Sequence, residues 1–270
     1  MKEFLFLDGK RIEPGLPMRS LFFGEGVFET FRWKSSPPVY IKEHVQRMKH
    51  GAELLQIPFP GEKRVMETVE DSVNASGLHD AYVKVCLLSS GPLKFSTLAS
   101  GGHLLVVARE YEPAKEKMNA HVVSFKQESS SPLHRVKSLN YLENVLARRE
   151  ADDLNFDEGI FLNEKDEVTE GSATNIFWVK DNTLFTPAVD CGLLPGVTRM
   201  AMISFAGGLG LKIKEGRFSL KDLLSSEVAF LTNALIGAAA ITEIDDKKLR
   251  LDKKTFERLK GVLHRKLKWA

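Results

Sequence analysis

Lys137 and Glu170 are the residues best suited to chemistry, and each sits in a distinctive run: Arg135-Val-Lys-Ser-Leu-Asn-Tyr141 and Glu170-Gly-Ser-Ala-Thr-Asn175. A lysine amine can hold an aldehyde cofactor as an imine. A carboxylate can keep a pyridine nitrogen protonated, so that the ring draws electrons from a substrate's α-carbon. The pair points to pyridoxal phosphate chemistry. Neither residue carries that reading alone, because a surface lysine near a helix start and a solvent-facing turn carboxylate have the same local sequences.

Neighbouring residues extend the pattern. Ser138 can cap a helix running from Leu139 to about Asp153, which sets Lys137 at the positive end of a helix, where its ammonium form is disfavoured. The small, hydroxyl-bearing run from Ser172 allows backbone to approach a flat ring and donate hydrogen bonds. Gly192-Leu-Leu-Pro-Gly-Val-Thr-Arg199 precedes a helix, so Val197 and Thr198 offer free N–H groups and a hydroxyl to an anion, although an ordinary capping sequence reads the same way. Thr232, Asn233 and Ala234 offer further donors at a strand end. Period-two alternation puts Phe28, Thr30 and Arg32 on one strand face and Tyr82 and Lys84 together on another, a lining suited to a carboxylate or to a half-exposed sheet. Arg47, off the apolar stripe of its helix, reads as a surface arginine or an anion ligand.

The elements that must position these residues mix helix and strand. A hairpin of Phe4–Leu7 and Arg11–Ile12 around Asp8-Gly9 precedes a strand at Val27–Trp33. Two amphipathic helices follow, His44–Ile57 with Val45, Met48, Ala52 and Leu55 on one stripe, and Glu62–Ala75 with Val65, Val69 and Val73. Strands return at Ala81–Leu88 and His103–Arg109, and the Gly/Ser-rich segment Ser96–Gly102 reads as a mobile loop. The charged segment Glu110–Lys117 divides the chain into a smaller amino-terminal domain (1–112), a linker (113–118) and a larger carboxy-terminal domain (119–270) that binds the cofactor. The second part reads as a strand at Ala120–Phe125, then a meander of Gly159–Leu162, Glu167–Thr169, Ile176–Val179 and Thr183–Phe185. After it come helices near Thr198–Ala206 and Leu220–Leu224, strands at Lys212–Glu215 and Glu227–Leu231, and a solvated amphipathic helix over Lys253–Lys268.

Composition bounds the function. With 38 Lys+Arg against 36 Asp+Glu, the formal charge of +2 gives no hint of a nucleic-acid surface. Cys86 and Cys191 are far apart without metal-ligand spacing, so no metal site is expected and both read as buried thiols in a reducing compartment. The amino terminus lacks the central apolar region of a signal peptide, and the apolar stretch Val228–Ile241 is too short and too polar to span a bilayer. A cytoplasmic enzyme without membrane contacts is expected.

Taken in order, Gly24-Glu-Gly-Val-Phe-Glu-Thr-Phe-Arg32, Glu43-His-Val-Gln-Arg47, Lys137-Ser-Leu-Asn-Tyr141, Glu170-Gly-Ser-Ala-Thr-Asn-Ile-Phe177, Thr186-Pro187, Gly196-Val-Thr-Arg199 and Phe230-Leu-Thr-Asn-Ala-Leu235 resemble the class IV aminotransferases. These fold-type IV pyridoxal phosphate enzymes include branched-chain aminotransferases, D-amino acid aminotransferases and aminodeoxychorismate lyases. The resemblance implies a mixed α+β fold of two lobes and an obligate homodimer with the site between the lobes. It implies Lys137 as the imine lysine, Glu170 at the pyridine nitrogen, Arg47 and Thr198 at the phosphate, and Tyr141 at the ring hydroxyl.

Lys137 as acid and base can then drive transamination or the elimination of a group from the β-carbon, with pyruvate among the products. Phe28-Glu-Thr30-x-Arg32 and Thr232-Asn-Ala-Leu235 resemble the lyases more than the aminotransferases, and favour 4-aminobenzoate and pyruvate as products over transamination of branched-chain or D-amino acids. Two departures stand out. Leu87-Leu-Ser-Ser-Gly91 lacks the arginine-glycine pair often found there, which leaves Arg32, Lys84, Lys94 or Arg135 to bind a substrate carboxylate, and Ala234 replaces a hydroxyl residue common in the aminotransferases.

Overall fold

A short hairpin opens the described part of the chain. In the computed structural model, which describes residues 5–8, 10–12 and 17–269, strands β1 (Leu5–Leu7) and β2 (Lys10–Ile12) pair antiparallel; Phe4 and Gly9 of the expected hairpin lie outside the described residues. Helix α1 (Met18–Phe23), which the sequence reading does not anticipate, leads into β3 (Gly26–Lys34). Helices α2 (Ile41–Leu54) and α3 (Glu62–Ser76) and strands β4 (Asp80–Ser90) and β5 (Gly101–Glu110) complete the first unit. The three strands form an antiparallel sheet in the order β3-β4-β5.

Strand and helix periodicities meet on one face of this sheet. Val27, Phe31, Val83, Val85 and Leu87 pack against Val45, Met48, Ala52, Val65, Val69 and Val73, the two helical stripes expected from sequence. The opposite face, with Phe28, Thr30, Tyr82 and Lys84, is left for another partner. Gly101 and Gly102 belong to β5 and not to a loop: a Cβ on Gly102 would lie 2.1 Å from the Pro58 carbonyl oxygen, so glycine permits the strand to pass close to that loop.

The second sheet is buried along its central strands and exposed at its edges. It takes strands from β6 (Lys117–Val122), then, after α4 (Leu142–Asp153), β7 (Glu158–Leu162), β8 (Val168–Gly171), β9 (Asn175–Lys180) and β10 (Thr183–Pro187). Helix α5 (Val197–Ala206), β11 (Lys212–Gly216), α6 (Leu220–Leu224), β12 (Val228–Asn233), β13 (Gly237–Ile244), β14 (Lys247–Lys248) and α7 (Lys253–Lys266) follow. The order β11-β10-β9-β12-β13-β6-β7-β8, with β8 returning to β9 through Glu170 and Asn175, closes six strands into a ring. The meander is present as β7 to β10. Helix α7 is not merely solvated, because Phe256, Leu259 and Leu263 are buried against β12 and α5. Among the described residues, no helix is long and apolar enough to cross a membrane.

Two local expectations fail for one reason, the open edge of β3. Helix α4 begins at Leu142, and Ser138 does not cap it. Residues 137–139 instead run extended along that edge: the Phe28 N–H donates to the Lys137 carbonyl at 2.8 Å, and the Leu139 N–H donates to the Gly26 carbonyl at 2.9 Å. An edge strand's unpaired peptide groups recruit whatever backbone can satisfy them. Lys137 is thus held by a strand edge and not by a helix start.

Candidate active site

A cavity of about 470 Å³ lies between the free face of the first sheet and the strand ring of the second. Phe28, Thr30, Arg47, Tyr82, Lys84, Lys137, Tyr141, Glu170, Ser172, Val197, Thr198, Asn233 and Ala234 all line it. Three expected residues do not. Arg32 shares the strand face of Phe28 and Thr30 but lies past the cavity, where its Nε donates to Asp80 at 2.7 Å and its guanidinium lies 3.9 Å from the Tyr111 ring centre. Arg135 ends a 3₁₀ turn, Pro132–Arg135, and is exposed, so the assumption that it shares a side with Lys137 on an extended segment fails. Lys94 is also exposed and outside the lining.

The Lys137 amine stands 4.5 Å from the Phe28 ring centre and 5.5 Å from that of Tyr141. Burial, and then the charge of Arg47, lowers its pKa from 10.5 to about 8. Withdrawal from water does what a helix dipole was expected to do. Glu170 experiences the opposite effect: burial raises its carboxyl from 4.5 to about 8, although the Leu194 N–H donates to it at 3.1 Å. Asn175 Nδ2 adds a longer bond to the same oxygen at 3.3 Å. Tyr141, whose pKa is pushed up by burial and by Glu170, keeps its hydroxyl protonated and donates to the Ser172 carbonyl at 3.2 Å. The Ser172–Thr174 turn is fixed in turn by buried Glu158, which accepts from the Ser172 N–H at 3.1 Å and the Thr174 hydroxyl at 3.1 Å.

Further donors gather beyond Leu194, at the start of α5. Gly196 precedes the helix, so the amides of Val197 and Thr198 are first-turn groups without helical acceptors. Arg47 reaches the same corner, with Nη1 donating to the Pro195 carbonyl at 3.1 Å. Its other nitrogens fork onto Glu29 at 2.8 and 2.7 Å, and His44 Nδ1 meets the same carboxylate at 2.6 Å. Periodicity left Arg47 undecided; its side chain is only 13% exposed, and it belongs to the cavity wall. Thr232 Oγ1, on the cavity side of β12, is buried without a hydrogen-bond partner among the described residues.

This donor set fits a phosphorylated pyridine aldehyde. Helix amides, a guanidinium and a spare hydroxyl suit a phosphate, and a buried carboxyl with few donors suits a ring N–H. The corner is close-packed: a Cβ on Gly196 would lie 2.0 Å from Asn175 Oδ1. Gly196→Ala is therefore expected to displace Asn175 and the first turn of α5, weakening retention of pyridoxal phosphate by about tenfold or more, as measured by dialysis and absorbance.

Sequence reasoning missed Glu29, His44, Lys126, Gln127, His134 and Asn144, all in the cavity wall or directly behind it. His44 and Arg47 stand one helical turn apart, a spacing that signals a shared partner. The segment from Lys126 to His134 carries no periodicity and gives no such signal.

Comparison with known proteins agrees with this geometry. The family profile of amino-transferase class IV matches residues 26–244. The aminodeoxychorismate lyase of Bacillus subtilis is 29% identical over 254 residues, covering 90% of this chain and 87% of that protein. A candidate 4-amino-4-deoxychorismate lyase from Legionella pneumophila superposes with a TM-score of 0.89 at 27% identity, covering 94% of this chain and 96% of that one. The branched-chain aminotransferase of Thermoproteus uzoniensis, solved with norvaline, gives 0.86 at 27% identity over 98% and 95%. The chain belongs to amino-transferase class IV, a family of pyridoxal phosphate-dependent enzymes with the fold-type IV architecture.

Proposed function

We propose that this enzyme converts 4-amino-4-deoxychorismate into 4-aminobenzoate and pyruvate. The observation that carries the reading is the polar wall around Lys137, where Thr30, Lys84, Gln127, His134 and Asn233 share one cavity. An aliphatic side chain would gain from apolar walls, whereas a ring bearing carboxylates needs donors that compensate its desolvation.

Each residue has a role in this reading. Arg47, Thr198, Val197 and the backbone at Asn233 and Ala234 hold the phosphate, Ser172 and Tyr141 flank the ring, and Glu170 hydrogen-bonds its nitrogen. The bound cofactor withdraws electrons from the amine-bearing carbon of the substrate. Lys137 takes the proton from that carbon. The bond between the neighbouring carbon and the enolpyruvyl oxygen then breaks, the ring becomes aromatic, and the released enolpyruvate gains a proton at carbon to give pyruvate. The Thr30 hydroxyl donates to the departing oxygen. Lys84, 4.2 Å from the Phe28 ring centre, holds a carboxylate with Tyr82 beside it. Thr30→Val should lower kcat on the order of 10²-fold without loss of cofactor, as measured by 4-aminobenzoate fluorescence.

A second reading is transamination of branched-chain or D-amino acids with a 2-oxo acid acceptor; the run Leu87-Leu-Ser-Ser-Gly91, which lacks the arginine-glycine pair often found in lyases and D-amino acid aminotransferases, favours its branched-chain form. The two are separated by assaying the purified holoenzyme. Both products from aminodeoxychorismate without an acceptor support the lyase. A change in cofactor absorbance on adding an amino acid alone, with no 4-aminobenzoate from aminodeoxychorismate, overturns it.

The same reading includes a cytoplasmic homodimer with two lobes, 1–112 and 119–270, joined by residues 113–118. The buried free thiols of Cys86 and Cys191 suit a reducing compartment. An apolar platform supports the dimer: Leu21, Phe22, Phe95 and Leu98 are 75%, 58%, 90% and 62% exposed. It is stiffened beneath by Arg19, which is buried, paired with Glu25, and donates to the Pro92 carbonyl at 2.5 Å. Such a patch is costly to leave in water. Phe95→Asp is expected to yield monomers in analytical ultracentrifugation.

A further inference from the structure

The turn Ala234–Ile236 between β12 and β13 contributes cavity wall beside Asn233, and it is tied down from several sides. Asn233 Oδ1 accepts from the N–H groups of Leu235 at 2.9 Å and Ile236 at 2.8 Å. From the first sheet, the Arg32 N–H donates to the Ala234 carbonyl at 3.2 Å. From the chain joining the two sheets, the Tyr111 hydroxyl donates to the Leu235 carbonyl at 2.7 Å. A peptide is planar, so holding these two carbonyls fixes the direction of the amides that follow them.

Tyr111 is itself immobilised. Its ring stacks on the Arg32 guanidinium, which is forked onto Asp80 and lies 5.1 Å from the ring centre of Trp269 on its way out of α7. Trp269 is tied in by Lys34, whose amine donates to its carbonyl at 2.7 Å. Gly237, at φ +65°, lets the turn pass this ring: a Cβ there would lie 3.0 Å from Trp269. Arg32 of the first sheet, Gly237 of the second, Tyr111 between the sheets and Trp269 beyond the last helix thus converge behind one turn.

The turn is remote from the reacting centre along the same strand edge. Lys137 docks on β3 at Phe28 and Ala234 docks at Arg32, four residues apart, or roughly 13 Å. We infer that Tyr111, stacked on an Arg32 guanidinium that Trp269 backs, is a positioning residue that holds the Leu235 end of the turn, next to the Asn233–Ala234 backbone assigned to the phosphate, against the substrate, so that it governs substrate binding and not the chemical step. This rests on reading the cavity as the substrate site.

Tyr111→Phe in the holoenzyme keeps the stacked ring and removes the hydrogen bond. The expected result is a KM raised about fivefold with kcat unchanged within about twofold, an unaltered thermal midpoint, and faster hydrogen exchange confined to the amides of Ala234–Gly237. Trp269→Leu, which removes the ring behind the Arg32 guanidinium and leaves the Tyr111 hydrogen bond in place, should shift KM and exchange in the same direction. Wild-type exchange in Tyr111→Phe, faster exchange with unchanged KM, or a loss of kcat in step with folded protein would each overturn the inference. If the wild type turns over neither aminodeoxychorismate nor any amino acid, the functional reading fails, while the exchange measurement still decides whether Tyr111 braces the turn.

Discussion

Lys137→Ala is expected to lose turnover by about 10⁴-fold or more, because the substitution removes both the group that links the cofactor and the base that moves the substrate proton. The protein should still fold, since the Lys137 carbonyl and not its side chain bonds β3. Its visible absorbance from lysine-linked cofactor should vanish, and stopped assays should detect no product. The lowered pKa of about 8 adds a pH signature. Only the neutral amine attacks an aldehyde, so the rate at which cofactor-free protein takes up pyridoxal phosphate should rise through about pH 8, where an unperturbed lysine at 10.5 would still be charged. Loading that continues to climb past pH 10 would contradict the burial described for this side chain.

The second large effect concerns Glu29, which lies behind the cavity lining and orders it through Arg47 and His44. Burial alone would raise its pKa, but the charge and hydrogen bonds of Arg47, together with His44, lower it from 4.5 to about 2. His44, whose own pKa is lowered by burial, packs its ring 5.2 Å from that of Phe31. Glu29→Gln leaves the Arg47 guanidinium without its counter-charge, at a cost of about 3 kcal/mol, and releases it from the phosphate corner. Urea unfolding of the cofactor-free protein should show the loss, and cofactor dissociation should accelerate by at least tenfold.

The pH dependence has a definite sign. A depressed carboxylate contributes its stability above the unfolded pKa and loses it as pH falls through the folded value. The gap between wild type and Glu29→Gln should thus be full above about pH 4.5 and close as pH falls toward 2. A gap that persists at pH 2 would show that packing and not charge is responsible.

How far such features can be read from sequence depends on whether their cause is local. Val45, Met48, Val65 and Val69 announce themselves through helical spacing, and Gly196-Val-Thr198 announces a helix start with free amides, because both depend on a few neighbouring residues. Lys137 and Glu170 are legible through the runs that surround them. Arg32 is misread because alternation gives a face and not an extent: the cavity ends at Thr30, and Asp80, Tyr111 and Trp269 capture the next side chain on that face. Ser138 is misread because the edge of β3 outcompetes helix nucleation, an interaction with residues more than a hundred positions away. Strand β13, Gly237-Ala-Ala-Ala-Ile, has neither alternation nor β-branched residues at its start and is held as a strand by pairing on both sides. Glu29 and His44 are hidden for the same kind of reason, since a buried ion pair is decided by which elements pack together.

The central claim, that Lys137 in this cavity carries the cofactor, is tested most directly by reducing the pyridoxal phosphate-loaded protein with borohydride and mapping the label by peptide mass spectrometry. The account predicts a single phosphopyridoxyl group on the peptide containing Lys137 and none on Lys84, although both amines lie over the Phe28 ring. Label on Lys84 or on surface lysines, with Lys137 unmodified, would contradict it.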